Sequence, residues 1–102
     1  MFLSAFGPVD ENMQVVGESI EEQTTACMQA MGRALRAAGA GFSDLVCVDV
    51  FLADLDDRDG FNATYAEFFE NRTRMPARRL YGAGELFKGV CLEVTGIAHL
   101  GN

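Results

Sequence analysis

The sequence predicts an α/β sandwich in which two helices cover one face of a mixed sheet. Three observations lead there: an apolar stripe at helical spacing from Ile20 to Ala38, a β-branched apolar run from Asp44 to Leu52, and strict alternation from Val90 to His99. With the shorter segments they give the order strand, helix, strand, helix, strand, strand. The 102 residues, 49% of them hydrophobic, fit one domain over 1–102 with one core.

Met1 to Phe6 is apolar and aromatic and is closed by Gly7-Pro8, which predicts a first strand with Ser4 as its one polar side chain. Taken alone, Ser4 is a hydroxyl satisfied by nearby backbone. Val9 to Glu18 is a polar loop. Ser19-Ile20-Glu21-Glu22 then has the capping-box form, so a helix starts there, and Gly39 follows Ala38 as its terminator. Ile20, Thr24, Cys27, Met28, Met31, Leu35 and Ala38 form its inward stripe.

The run Asp44–Leu52 is apolar on both faces apart from Asp49, whose carboxylate calls for solvent, a partner subunit or an arginine. Asp56 or Asp57 can cap the second helix, whose aromatic face is Phe61, Tyr65, Phe68 and Phe69. That face reads as core, and Asn62 beside it as a solvated amide. Pro76 fixes its own φ and drives Met75 out of the helical region, so this helix is expected to reach about Arg74 and a strand to run from Arg78 to Gly84. In the last strand Val90, Leu92, Val94, Gly96 and Ala98 share one face, and Cys91, Glu93, Thr95, Ile97 and His99 the other. Glu93, among apolar neighbours, needs an arginine, another hydrogen-bonded partner or water, and spacing alone favours a structural salt bridge.

Charge and cysteine usage exclude several function classes. Fifteen acidic against eight basic residues give a net charge of −7, which repels nucleic acid. Arg72, Arg74, Arg78 and Arg79 nonetheless make one basic patch suited to a small anion. Cys27, Cys47 and Cys91 are odd in number and embedded in apolar sequence, which predicts buried thiols in a reducing compartment rather than a disulfide framework or metal site. A single histidine, His99, leaves neither a Ser-His triad nor a histidine metal site easy to build. With no membrane-length apolar run and no signal-peptide pattern, a cytoplasmic protein is expected.

Met75-Pro76-Ala77-Arg78-Arg79 is the stretch with most chemical content. A guanidinium at a strand start is a rigid donor fork matched to a carboxylate. Alternation sends Arg78 and Arg79 to opposite faces, so at most one serves a given pocket, and spacing alone reads both as solvated edge arginines.

The chain resembles the Rid family, the reactive intermediate deaminases, also called YjgF-type or L-PSP endoribonuclease-like proteins. The resemblance spans about Phe2 to Leu100 and rests on Phe2-Leu-Ser-Ala-Phe-Gly-Pro-Val9, Ala37-Ala-Gly39, Val50-Phe-Leu-Ala-Asp-Leu55, Phe61-Asn-Ala-Thr-Tyr-Ala-Glu-Phe-Phe69, Pro76-Ala-Arg78 and Leu92-Glu-Val-Thr-Gly-Ile-Ala98. It implies a chorismate-mutase-like (bacillus type) fold, a homotrimer with clefts between subunits, and hydrolysis of 2-imino or 2-enamino acids, such as 2-aminoacrylate, to 2-keto acids and ammonia without metal or cofactor. By the same resemblance Arg78 binds the substrate carboxylate and Glu93 handles the attacking water. Ser4, Asn62 and the backbone at Leu80 complete the pocket.

The chain also departs from the family pattern. It begins where the family's second strand should stand, so the family's N-terminal strand and its pocket aromatic have no counterpart. Leu80 stands where many members have cysteine, Thr95 where the last strand has a second acid, and Phe87 where a proline is common. Two further readings stay open beside the deaminase: a non-catalytic module binding small carboxylates such as 2-keto acids, and an enzyme acting on a larger biosynthetic intermediate.

Overall fold

A computed structural model describes residues 1–101 of the chain. Strand β1 (Phe2–Phe6) leads through a surface loop to helix α1 (Ile20–Ala37), then β2 (Leu45–Leu52), helix α2 (Arg58–Ala66), β3 (Ala77–Gly82) and β4 (Leu92–Ala98). The sheet order is β1-β4-β2-β3. β2 and β3 are parallel, joined by the α2 crossover, while β4 runs antiparallel to both β1 and β2. This is the mixed sheet expected from the sequence.

The start of α1 is set by local chemistry. The Ser19 hydroxyl accepts from the Glu22 amide at 3.1 Å, and the Glu22 carboxylate accepts from the Glu18 and Ser19 amides at 2.9 and 3.2 Å. Those amides, that of Glu18 first, hold the Glu22 carboxyl below its ordinary pKa. At the other end Gly39 takes φ +78°, and the bonds Gly39 N–H to Arg36 O and Ala40 N–H to Leu35 O close a Schellman turn.

One face of the sheet carries the core. Leu3, Val48, Val50, Leu52, Leu92, Val94 and Ala98 are buried against Cys27, Met28, Met31 and Leu35 of α1 and Phe61, Tyr65 and Phe69 from α2 and the turn after it. Gly96 belongs to this face for a steric reason. A Cβ there would stand 3.2 Å from Leu45 Cδ2, closer than most real contacts, so its absence makes room for the Leu45 side chain of the adjacent strand. The alternation read in β4 holds, with Leu92, Val94, Gly96 and Ala98 inward and Glu93, Thr95 and Ile97 half-buried on the opposite, uncovered face.

Several expected boundaries move. α2 stops at Ala66 instead of reaching Arg74, because the amides of Glu67, Phe68 and Phe69 bond three residues back and tighten the chain into 3₁₀ turns. Asn71 then starts a turn of its own, its Oδ1 accepting from the Thr73 amide and hydroxyl at 3.0 and 2.6 Å. Asp57 is the N-cap of α2 but its side chain makes no capping bond; Asp54 instead accepts from the Asp56 amide in the preceding 3₁₀ turn. β3 ends at Gly82, and β4 starts at Leu92 after a 3₁₀ turn at Phe87–Gly89.

Ser19→Ala should lower stability by about 1 kcal/mol in a urea titration, the usual cost of an N-cap hydroxyl. Because the folded pKa of Glu22 is depressed, its stabilisation is present above the unfolded carboxylate value and is lost as pH falls through the folded one. Glu22→Gln should therefore destabilise at pH 7, and the gap to the parent should close in melts below about pH 4.

Candidate functional site

The register of β2 against β3 decides where the two arginines go. Val48 lies beside Arg78 and Asp49 beside Arg79, and since Val48 is buried under the helices, Arg78 shares the helix-bearing face while Arg79 is turned to the uncovered one. Arg79 there meets Asp49, Nε to Oδ1 at 2.8 Å and Nη2 to Oδ2 at 3.2 Å. This pair is the arginine partner that Asp49 calls for, and its hydrogen bonds raise the Arg79 pKa further above its ordinary value. With the Arg79 side chain 68% exposed, the pair is a solvated edge contact of small energetic worth.

Arg78 is placed differently. Its guanidinium carbon lies over the rings of Phe61 and Tyr65, 5.5 and 5.1 Å from their centroids, and it makes no ion pair or hydrogen bond among the described residues. The two rings stack on each other with centroids 5.2 Å apart and are buried, so the cation rests on a low-dielectric aromatic floor. Its donor fork is unspent. Burial pushes the Tyr65 phenol up to about 12, against a smaller opposing pull from Arg78. The Tyr65 hydroxyl and Asn62 Oδ1 are both buried without a hydrogen-bond partner.

β3 is an edge strand, and its backbone adds to this side of the molecule. Ala83 N–H bonds Leu52 O at 2.8 Å, so by alternation the backbone of Tyr81 and Arg79 faces β2. The amides and carbonyls of Arg78 and Leu80 therefore point to the free edge. The Leu80 side chain packs against the core, which leaves its backbone as the polar contribution at that position.

Ser4 and Glu93 lie on the other face. Ser4 follows buried Leu3 and is exposed, and half-buried Glu93 sits opposite Phe51 of β2. Glu93 has no arginine partner among the described residues, so the structural salt bridge favoured by spacing is not formed; Arg79 is taken by Asp49 one strand away. The expected site residues thus fall into two groups. Arg78 and Leu80 on β3, with Asn62 on α2, lie on the helix-bearing side of the sheet, and Ser4 and Glu93 share the uncovered face.

The remaining expectations concern thiols, metals and membranes. Cys27 is buried with its thiol donating to Phe6 O at 2.8 Å, and burial pushes its pKa up to about 12. Cys47 and Cys91 are half-buried, and all three are free. Among the described residues no cluster of His, Cys, Asp or Glu could hold a metal, and no helix is long and apolar enough to cross a membrane. A groove of about 500 Å³ lined by Arg33 and Arg36 of α1 with Phe42 and Phe68 includes none of the expected site residues.

Sequence reasoning missed the position of Phe61 and Tyr65 under Arg78. It assigned both rings correctly to the core, but no local signal says which strand residue will lie above them. A titration followed by tyrosine absorbance should show Tyr65 neutral until pH approaches 12, so Tyr65→Phe should leave the curve unchanged below pH 10 or so. Iodoacetamide at neutral pH should leave Cys27 unmodified in the folded protein, read by peptide mass, because a buried neutral thiol is a poor nucleophile.

The family model described as Endoribonuclease L-PSP matches residues 1–100. The chain is 37% identical over 101 residues to Reactive Intermediate Deaminase A, chloroplastic, of Arabidopsis thaliana, a match covering 98% of this chain and 53% of that protein. It is 35% identical over 92 residues to a 2-iminobutanoate/2-iminopropanoate deaminase of Salmonella typhimurium, covering 89% and 72% respectively. Among solved structures, E. coli TdcF with bound serine superimposes with a TM-score of 0.88 at 26% identity, covering 98% of this chain and 80% of that one. The chain spans about half the length of the Arabidopsis relative and most of the others. From the matched length, the identities and the shared α/β architecture, the chain belongs to the Rid/L-PSP family.

Proposed function

We propose that the protein is a 2-imino/2-enamino acid deaminase whose site is a seam between two copies of the chain in a homotrimer. The observation that carries this reading is Arg78, an arginine with an unspent donor fork at a free strand edge of an otherwise acidic protein. The names of the Arabidopsis and Salmonella relatives support the reaction class. Free thiols agree with a reducing, cytoplasmic setting.

In this reading Arg78 grips the substrate carboxylate through two charge-assisted hydrogen bonds, which fixes the imine carbon relative to a water. Glu93 of the adjoining copy accepts a proton as that water adds to the carbon, giving a carbinolamine. Glu93 passes that proton to the nitrogen and takes up the hydroxyl proton as the C=O bond forms and the C–N bond breaks, and ammonia, which carries the last proton away, and the 2-keto acid leave. Enamines enter by tautomerising to the imine. Exposed Ser4 and the outward backbone of Leu80 supply neutral hydrogen bonds to water or imine nitrogen, and Asn62 supports the wall beside Arg78. The chemistry asks for no metal or cofactor, because the imine is already electrophilic.

Two copies are needed for a geometric reason. Arg78 and Glu93 occupy opposite faces of one sheet, so a single chain cannot bring both to one substrate. The uncovered face is also half apolar, with Phe2 84% exposed and Val46 and Tyr81 partly so. A neighbour seated on that face would cover those residues and carry its own Arg78 toward Glu93.

A second reading, binding without turnover, is favoured by the serine seen in TdcF. Freshly generated 2-iminopropionate separates the two, with keto-acid release as the readout. Arg78→Ala should lower kcat/KM by about 100-fold, roughly 3 kcal/mol for a lost bidentate ion contact. No acceleration by the parent, alongside saturable calorimetric binding of 2-oxobutyrate, would leave the binding module standing instead. Arg78→Ala and Glu93→Gln chains, unfolded and refolded together in equal amounts, should recover about a quarter of parent activity, the share of head-to-tail seams that join an intact arginine to an intact glutamate. A mixture as inactive as either variant would sink the shared seam.

A further inference from the structure

Arg78 sits on a protein with 15 acidic residues, and its neighbour in sequence shows what such surroundings do to an exposed guanidinium: Arg79 is taken by Asp49. Arg78 escapes that fate. Its contact is with two aromatic rings, Phe61 and Tyr65, one turn apart on α2, stacked at 5.2 Å and buried. A ring attracts a guanidinium through the π cloud and offers its N–H donors no oxygen acceptor, whereas a carboxylate would consume two of them.

We propose that Phe61 and Tyr65 are positioning residues for carboxylate recognition: their stacked rings hold the Arg78 guanidinium in place while leaving its N–H donors free for the ligand. The inference rests on Arg78 being the carboxylate clamp and adds what keeps that clamp open. The parts come from separate elements. Phe61 and Tyr65 are spaced four residues apart, so α2 presents both rings to one side, and the parallel register that sets Arg78 beside Val48 brings the guanidinium over them. The Tyr65 hydroxyl is buried and has no partner, so the ring and not the hydroxyl carries the role. Tyr65→Phe should therefore preserve the function.

The test measures 2-oxobutyrate binding by calorimetry and KM and kcat with 2-iminopropionate, on the assembled protein. Tyr65→Leu should weaken binding and raise KM about fivefold with kcat little changed, and Tyr65→Phe should restore both to within about twofold of the parent, as expected from the size of a cation–π contact. Phenylalanine carrying one, two or three ring fluorines, placed at position 61 alone, withdraws π density while nearly preserving shape. Binding should weaken stepwise along that series, a trend that a merely structural ring would not produce. A flat fluorine series would overturn the proposal even if Tyr65→Leu fails to fold, as would a Tyr65→Phe chain as weak as Tyr65→Leu. If Arg78→Ala abolishes binding while the ring variants bind like the parent, the positioning role fails and the clamp stands. If Arg78→Ala itself binds like the parent, the clamp fails and the positioning role with it.

Discussion

The parallel pairing of β2 with β3 is the constraint on which the rest depends. It fixes Arg78 beside Val48 and Arg79 beside Asp49, and in doing so gives adjacent, chemically identical side chains opposite environments. Arg79 is neutralised by a carboxylate on the uncovered face. Arg78, itself exposed, is turned to the helix-bearing side with its guanidinium over aromatic rings, and no described residue takes its donors. A register slip of one residue would reverse the faces, turning Arg79 to the helix-bearing side and Arg78 to the uncovered one. The parallel geometry itself follows from the crossover through α2, the same helix that supplies the rings.

The sheet then separates the expected site residues into two halves. The helix-bearing face is closed by a continuous core from Leu3 to Ala98, with Arg78 and the outward backbone of Leu80 at its β3 edge. The uncovered face keeps Ser4 and Glu93 among Phe2, Phe51, Thr95 and Ile97. A half-buried carboxylate without a cation is costly to bring into a contact that leaves it unpaired. An acidic group on one face and, on the other, an arginine with no acidic partner among the described residues are what the proposed seam between copies would bring together.

Much of the architecture was legible from short-range signals, and the misses have local causes. The capping box at Ser19–Glu22, the glycine stop after Ala38 and the two-residue alternation of β4 each depend on residues within a few positions of one another, and all are present in the folded chain. The second helix was read too long because its aromatic spacing continues to Phe69, whereas competing i−3 bonds and the Asn71 side chain end it near Ala66. The salt bridge expected of Glu93 did not form because the arginine facing the uncovered surface is two strands away and already bonded to Asp49.

By itself the sequence determined the class of fold, the single core, the face on which Glu93 lies in its own strand, and the fact that Arg78 and Arg79 must diverge. Those follow from periodicity, which is a property of neighbouring residues. Only the tertiary structure decided which arginine is captured and which stays open, that Phe61 and Tyr65 lie beneath Arg78, and that Arg78 and Glu93 stand on opposite sides of one sheet. These depend on which strands pair and in what register, and pairing between segments tens of residues apart is set by burial of the whole core.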